Sequence, residues 1–277
     1  MYGAIIGDVV GSRYELDGIK SKDFVLLNSE NEYTDDTITT VAVANALIRH
    51  IEGAEDFKPA LIKEMQTLCK KYPKAGYGES FKKWLNETDP KPYYSFANGS
   101  AMRVSPCALV ARTLDEAIDL AKQSAEITHN HPDGIKGAQA VSAAIFLAKT
   151  GKSKEDIRCY INDNYYSLNK TLDQIRPDYE FDLACEESVP QAILCFLESE
   201  NFEDALRNSV SLGGDSDTIA AIAGSIAWSY YSYGRELPQD MQELRNRINS
   251  YLTPDILQCV EIFERMLKSH RGDKDDR

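Results

Sequence analysis

Two short acidic segments, far apart in the chain, carry more carboxylates than packing asks for. Tyr33-Thr34-Asp35-Asp36-Thr37 stands at the head of one apolar helical pattern, and Gly213-Gly214-Asp215-Ser216-Asp217-Thr218 opens another. A helix N-terminus welcomes one or two acids, because its free N–H groups and dipole favour negative charge. Each segment alone therefore reads as an ordinary cap. Side by side they are two versions of one arrangement, acids and a threonine at the mouth of an apolar helix. If the two mouths face each other, four aspartates crowd one place, and cations relieve the repulsion. Hard carboxylate and hydroxyl oxygens suit Mg²⁺, Mn²⁺ or Ca²⁺ rather than a thiolate-seeking metal. A pair of such ions about 3.5–4 Å apart orients and activates water.

Three further segments carry groups of the right kind. In Gly7-Asp8-Val9-Val10-Gly11-Ser12-Arg13-Tyr14-Glu15, Asp8 and Glu15 are seven residues apart and share a face if the helix is continuous. Asp8 fits a hydrogen bond to neighbouring backbone as well as a direct role, and Glu15, at the helix end, is the better placed to reach a metal site. Phe96-Ala97-Asn98-Gly99-Ser100-Ala101-Met102-Arg103-Val104-Ser105-Pro106 sets small residues and backbone N–H groups before a helix, with Arg103 at hand. Phosphates are cradled that way, and a capped loop looks the same. In Thr128-His129-Asn130-His131-Pro132 the histidines sit between two helices, where His131 reads as a helix-terminus hydrogen bonder.

Taken in order, these segments resemble the ADP-ribosylglycohydrolase family, which includes the dinitrogenase-reductase-activating glycohydrolases and the ADP-ribosyl-acceptor hydrolases. The matching pieces are Gly7 to Ser12 with Glu15, Tyr33 to Thr37, Gly76-Tyr77-Gly78, Asn98 to Arg103, Thr128-His129 and Gly213 to Thr218, spread from residue 3 to about residue 234. The resemblance implies a compact all-α bundle with two divalent cations, Mg²⁺ or Mn²⁺, at its centre. It implies that Thr34, Asp35 and Asp36 bind one metal, that Asp215 and Thr218 bind the other, and that Asp217 bridges both. Glu15 then matches a glutamate proposed to act in catalysis. The implied substrate contacts are Asn98, Gly99, Ser100, Met102 and Arg103 around the phosphates, His129 near the same ligand, and Gly76 and Gly78 beside the distal ribose.

The implied enzyme is an ADP-ribosyl glycohydrolase. It cleaves the α-glycosidic bond between the distal ribose C1″ and an acceptor on a modified protein, with Glu15 or Asp36 as the proton-handling group. A small ADP-ribose conjugate, an O-acyl ester or the 1″-phosphate, would use the same core. A non-catalytic ADP-ribose binding module is the reading from a different class, and it has no need of six metal-ligand positions. A helical metal-dependent phosphohydrolase fits poorly, since there are only four histidines in the chain.

The elements that must position these groups are helical. Apolar residues recur at three- and four-residue spacing through Val41-Ala44-Leu47-Ile48-Ile51, Ala117-Ile118-Ala121-Ala125, Ile135 to Ala148, Ile193-Leu194-Leu197, Ile219-Ile222-Ala223-Ile226 and Ile256-Val260-Phe263-Leu267. Pro132, Pro190 and Pro254 sit near helix starts, Gly151 and Gly234 follow helix ends, and Ser153 with Asp156 forms a cap region. Phe24-Val25-Leu26-Leu27 is the one modest strand candidate. Gly3, Gly7 and Gly11 form a smooth stripe for close helix packing. The segment between Asp17 and Tyr33, with Lys20, Lys22 and Asp23, reads as a solvated loop or a lid. No linker or repeat divides the chain, so the expectation is a single all-α domain over residues 1–268 with a polar tail over 269–277.

Composition sets the outer limits. The 277 residues carry 31 Lys+Arg against 44 Asp+Glu, a net charge of −13, which argues against nucleic acid held on a broad basic face. At 43% hydrophobic the chain is a folded globular one. The start, Met1-Tyr2-Gly3-Ala4-Ile5-Ile6-Gly7-Asp8, lacks the basic and long apolar regions of a secretory signal, and no stretch approaches the ~20 apolar residues of a membrane helix. Six scattered cysteines without a CxxC pair read as free thiols of a cytoplasmic, monomeric protein.

Overall fold

The computed structural model describes residues 1–234 and 236–272. Along the chain run α1 (Tyr2–Ser12), α2 (Asp35–Ile51), α3 (Phe57–Cys69), α4 (Glu79–Asn86), α5 (Gly99–Met102), α6 (Ser105–Val110), α7 (Leu114–Glu126) and α8 (Pro132–Lys149). Then follow α9 (Lys154–Asn164), α10 (Leu172–Ile175), α11 (Cys185–Leu197), α12 (Phe202–Leu212), α13 (Ser216–Tyr231), α14 (Gln239–Asn249) and α15 (Pro254–Gly272). Among the described residues the only β-type pairing is one isolated antiparallel bridge, Ala97 with Ala184. The fold is the all-α domain expected from the periodicity.

Local chemistry starts these helices. Thr34 caps α2 by accepting from the Asp36 N–H, Ser153 and Asp156 form a reciprocal capping box on α9, and Pro132 and Pro254 stand first in α8 and α15. Gly151 and Gly234, both at positive φ, follow the ends of α8 and α13.

The centre is the pair α1 and α13. Both are buried along nearly their whole length, and α13 also packs on α8, α11 and α12. The glycine stripe explains the closeness. A Cβ on Gly3 would sit 2.2 Å from the Gly224 carbonyl oxygen, one on Gly7 2.0 Å from that of Ala220, and one on Gly11 2.4 Å from the Asp217 Cα. The helices thus meet backbone to backbone, which brings the mouth of α13 beside the end of α1. Glu15 follows that end, so the stripe also delivers Glu15 to Asp217.

Three local expectations are revised and one is sharpened. Phe24 to Leu27 is irregular chain, because no strand lies alongside to pair with it: Tyr14 donates to the Val25 carbonyl, and Arg207 donates to those of Lys22 and Phe24. Pro190 lies inside α11 rather than at its start. It falls early enough in the helix that the carbonyl it cannot serve belongs to the first turn. The 17–33 segment is the largely exposed loop expected, tied to the body at several points: Asn31 is buried and donates to the Val9 carbonyl, Lys22 pairs with Asp204, and Lys20 donates to the carbonyls of Tyr179 and Leu212. Ser269 and His270, assigned to the tail, continue α15, where Arg112 donates to His270; residues 273–277 lie outside the described residues.

Candidate functional site

The mouths of α2 and α13 do face each other. Thr218 Oγ1, on α13, donates to Asp36 Oδ2, on α2, at 3.1 Å. Asp217 Oδ1 accepts the Thr218 N–H at 2.9 Å, and Asn98 Nδ2 donates to Asp215 Oδ2 at 2.6 Å. Glu15, Asp215 and Asp217 each place one carboxylate oxygen within 4.8 Å of the others. Asp35 donates its backbone N–H to the Ala75 carbonyl, and Gly76, at φ +104°, passes so close that a Cβ there would lie 3.0 Å from Asp35 Oδ1. Gly76 is therefore what lets the 75–78 loop lie against Asp35.

Crowding of buried acid shows in the proton affinities. Burial, with the charges of Asp8, Asp215 and Glu15 adding, pushes Asp35 up to about 7. Asp36 and Asp217 are driven well above the ordinary aspartate value, first by burial and then by neighbouring carboxylates. Glu15, half-buried, is raised by burial and by Asp215 and Asp8. Asp36 Oδ1 is buried with no hydrogen-bond partner, an uncommon condition for a carboxylate oxygen.

Asp8 takes a different place from Glu15. The helix ends at Ser12, so the two do not share a helical face. Asp8 is fully buried and accepts from the backbone N–H and hydroxyl of both Thr34 and Thr37, tying α1 to the start of α2. Thr34 is accordingly engaged by Asp8 and is absent from the cavity wall.

Above the acids opens a cavity of about 540 Å³. Its wall includes Glu15, Asp35, Asp36, Gly76, Gly78, Asn98, Gly99, Met102, Arg103, His129, Asp215, Asp217 and Thr218. Two candidates from the sequence are elsewhere: Thr34, as described, and Ser100, whose fully buried hydroxyl donates to the Gly134 carbonyl. Arg103 reaches the wall but turns inward. It is buried and donates from Nη2 to the Ser124 carbonyl and to Thr128 Oγ1, both at 2.8 Å.

Sequence reasoning missed the aromatic rim. Tyr93, Tyr94, Phe96 and Phe181 join Leu183 on the wall, and Tyr94, Phe96, Phe181 and Leu183 are exposed. Tyr94 is held at φ +57°, with Asn130 Oδ1 accepting its N–H at 2.8 Å. The run Tyr93-Tyr94-Ser95-Phe96 just before Asn98 was a usable signal. Phe181 had none, because it arrives through pairing of residues 96–98 with 183–185.

A family model described as ADP-ribosylglycohydrolase matches residues 1–272. The ADP-ribosylhydrolase ARH3 of Homo sapiens is 29% identical over an alignment covering 87% of this chain and 86% of that protein. The ADP-ribosylarginine hydrolase Tri1 of Pseudomonas putida (strain GB-1) is 25% identical, covering 88% and 72%. A solved structure described as an ADP-ribosylglycohydrolase-related protein complex superposes with a TM-score of 0.67 at 20% identity, covering 95% of each chain, which speaks to the fold. With the whole described chain matched and the family's acidic segments gathered at one cavity, this chain is an enzyme of the ADP-ribosylglycohydrolase family.

Proposed function

We propose that the protein hydrolyses the α-glycosidic bond joining the distal ribose C1″ of ADP-ribose to an acceptor on a modified protein, and that it does so with two divalent cations, Mg²⁺ or Mn²⁺. The observation that carries this reading is the convergence of Glu15, Asp215 and Asp217 within 4.8 Å, beneath a cavity of about 540 Å³.

The residues fit the metals. The donors are hard oxygens, Asp36 Oδ1 is buried without a partner, and the raised proton affinities mark carboxylates lacking a counter-charge. Asp35, Asp36, Asp215, Asp217 and Thr218 would hold the ions, and Thr34, engaged by Asp8, would steady Asp35 and Asp36 at the start of α2. Bound there, divalent cations supply positive charge that orders ribose hydroxyls and water.

In the proposed reaction a bond forms from the water oxygen to C1″, the bond from C1″ to the acceptor breaks, and the acceptor leaves with a proton. Glu15 is suited to take the water proton, because its carboxyl reaches the cavity half-buried, within 4.8 Å of Asp215 and Asp217. Asp36, fully buried and engaged by Thr218, suits ligation better. Carboxylates at the floor would also stabilise the cationic sugar as the bond breaks. Tyr93, Tyr94, Phe96 and Phe181 offer flat apolar surface to a nucleobase.

A small ADP-ribose conjugate is a second substrate class with the same chemistry, and the open rim admits either. This reading places the protein in the cytoplasm as a monomer, in keeping with six free thiols; among the described residues no helix is long and apolar enough to cross a membrane. The test is incubation with arginine-linked, serine-linked and O-acyl ADP-ribose, with Mg²⁺, with Mn²⁺ or with EDTA, reading free ADP-ribose by mass spectrometry. Metal-dependent release from at least one substrate is expected. No release from any, with either metal, overturns the reading.

A further inference from the structure

Among the described residues nothing beyond Thr218 reaches the cavity wall, yet α15 is tied to the site through one hydroxyl. Thr253, the residue before Pro254 at the head of α15, sits between two phenols. Tyr33 donates to Thr253 Oγ1 at 3.2 Å, and Tyr72 Oη lies 2.8 Å from the same oxygen. The two rings meet edge to face, with centroids 6.1 Å apart. Tyr72 also donates to Asp255 Oδ1 at 2.6 Å. Burial and that carboxylate push the Tyr72 phenol up to about 12, so it keeps the proton it donates.

Each phenol belongs to one side of a contact in the site. Tyr33 stands two residues before Asp35. Tyr72 opens the turn that leads to Gly76, and its carbonyl accepts the Ala75 N–H at 3.2 Å. The Ala75 carbonyl accepts the Asp35 N–H at 2.7 Å, and Gly76 lies against Asp35 Oδ1. The links therefore close on themselves: Thr253 to Tyr33, along the chain to Asp35, across to Ala75, and back through Tyr72 to Thr253. Within such a ring the Asp35 N–H bond to Ala75 is held from both ends. With Thr253 silent, that single bond must hold the 72–76 turn against Asp35 alone.

We propose that Thr253 is a positioning residue of the site: by holding Tyr33 and Tyr72 at one oxygen, it fixes Asp35 against the 75–78 loop, where that carboxylate would bind a divalent cation. The metal half rests on the function proposed above; the placement of Asp35 does not. Asp8 steadies the start of α2 from α1, through Thr34 and Thr37, and Thr253 steadies it from the opposite end of the chain. The stretch before Tyr33 lies along the same C-terminal region, since Tyr251 donates to the Asn28 carbonyl at 2.9 Å and Arg247 to the Leu27 carbonyl at 3.3 Å. Those two bonds remain when the Thr253 hydroxyl is removed, so the loss is confined to the two phenols and what they hold.

The test begins without metal. Hydrogen exchange of the full chain in EDTA is read at the Asp35 amide by NMR. Thr253→Val, which keeps the shape and loses the hydroxyl, should speed that exchange by about 10-fold, the worth of one hydrogen bond, and Thr253→Ser should restore it. Tyr33→Phe cuts one arm only and should act in the same direction, so it decides the question if Thr253→Val does not fold. Unchanged exchange at Asp35 in the folded variants overturns the proposal. With Mn²⁺ as the probe, calorimetry should show about 10-fold weaker binding in Thr253→Val. Tyr2→Phe is the comparison, because it removes a 3.1 Å bond from Tyr2 to Asn249 Oδ1 and neither residue is on the wall. It should bind Mn²⁺ as wild type does; an equal weakening there would mean a general loss of stability and overturns the proposal. A wild-type chain that binds no Mn²⁺, with Asp35 exchange as stated, counts against the proposed function and leaves the placement of Asp35 standing.

Discussion

Thr218 Oγ1 donates to Asp36 Oδ2 at 3.1 Å, although the two residues are 182 positions apart. This bond closes α13 onto α2 at the floor of the cavity and leaves the second Asp36 oxygen buried and bare. Both consequences follow from two helices meeting at their N-termini, the ends that tolerate negative charge best.

Asp36→Asn removes a ligand from that floor. Hydrolysis should fall by about 100-fold or more, with weaker Mg²⁺ binding by calorimetry. In EDTA the same variant should melt above wild type, because one buried like charge is gone, and added Mg²⁺ should stabilise it less. A wild-type response to Mg²⁺ would remove Asp36 from the ligand set.

Metal removal should make stability depend on pH in a set direction. Asp8 is pushed up to about 6 by burial and Asp35 to about 7, from an ordinary value of 3.8. The folded protein therefore keeps protons that the unfolded chain has released, and its stability falls as pH rises from near 4 through 7. Cations compete with those protons, so stabilisation by Mg²⁺ should be larger at pH 7.5 than at pH 5.5. Thermal melts with EDTA and with Mg²⁺ at the two pH values check both signs.

Asp8→Asn leaves the shape but not the acceptor. The carboxylate serves four donors of Thr34 and Thr37, and an amide brings N–H groups toward them. A loss of about 3 kcal/mol in urea unfolding is expected, since Asp8 is fully buried. A loss below about 1 kcal/mol would mean that Asp8 is not a brace for α2.

Gly7→Ala should be more damaging than its single methyl suggests. The added carbon would stand 2.0 Å from the Ala220 carbonyl oxygen, a backbone atom that cannot rotate away. About 3 kcal/mol or more, or loss of soluble protein, is expected. Gly53→Ala is the comparison: nothing lies within 4 Å, and only its φ of +71° resists, for about 1 kcal/mol.

Much was legible locally. Helical class followed from apolar spacing, because a helix must bury one stripe wherever it ends up. The two acid-acid-threonine mouths were legible as chemistry because their composition exceeds what capping needs. The glycine stripe told of close packing but not of its partner, which needed Gly224 and Ala220 on α13. Pro190 misled because proline's local preference for a helix start gives way when its missing hydrogen bond falls in the first turn.

By itself the sequence determined the residue types that make the site, the helices that carry them and the family they belong to. The tertiary structure decided which of them touch. Thr34 and Ser100 were drawn into internal hydrogen bonds, Arg103 was turned toward Thr128, and Phe181 was brought to the rim. Spacing along a chain reports which face of one helix a side chain occupies. Which donor it meets across the core depends on how several helices pack at once, and that is set by contacts between residues as much as 205 positions apart, such as Ser216 on Gly11.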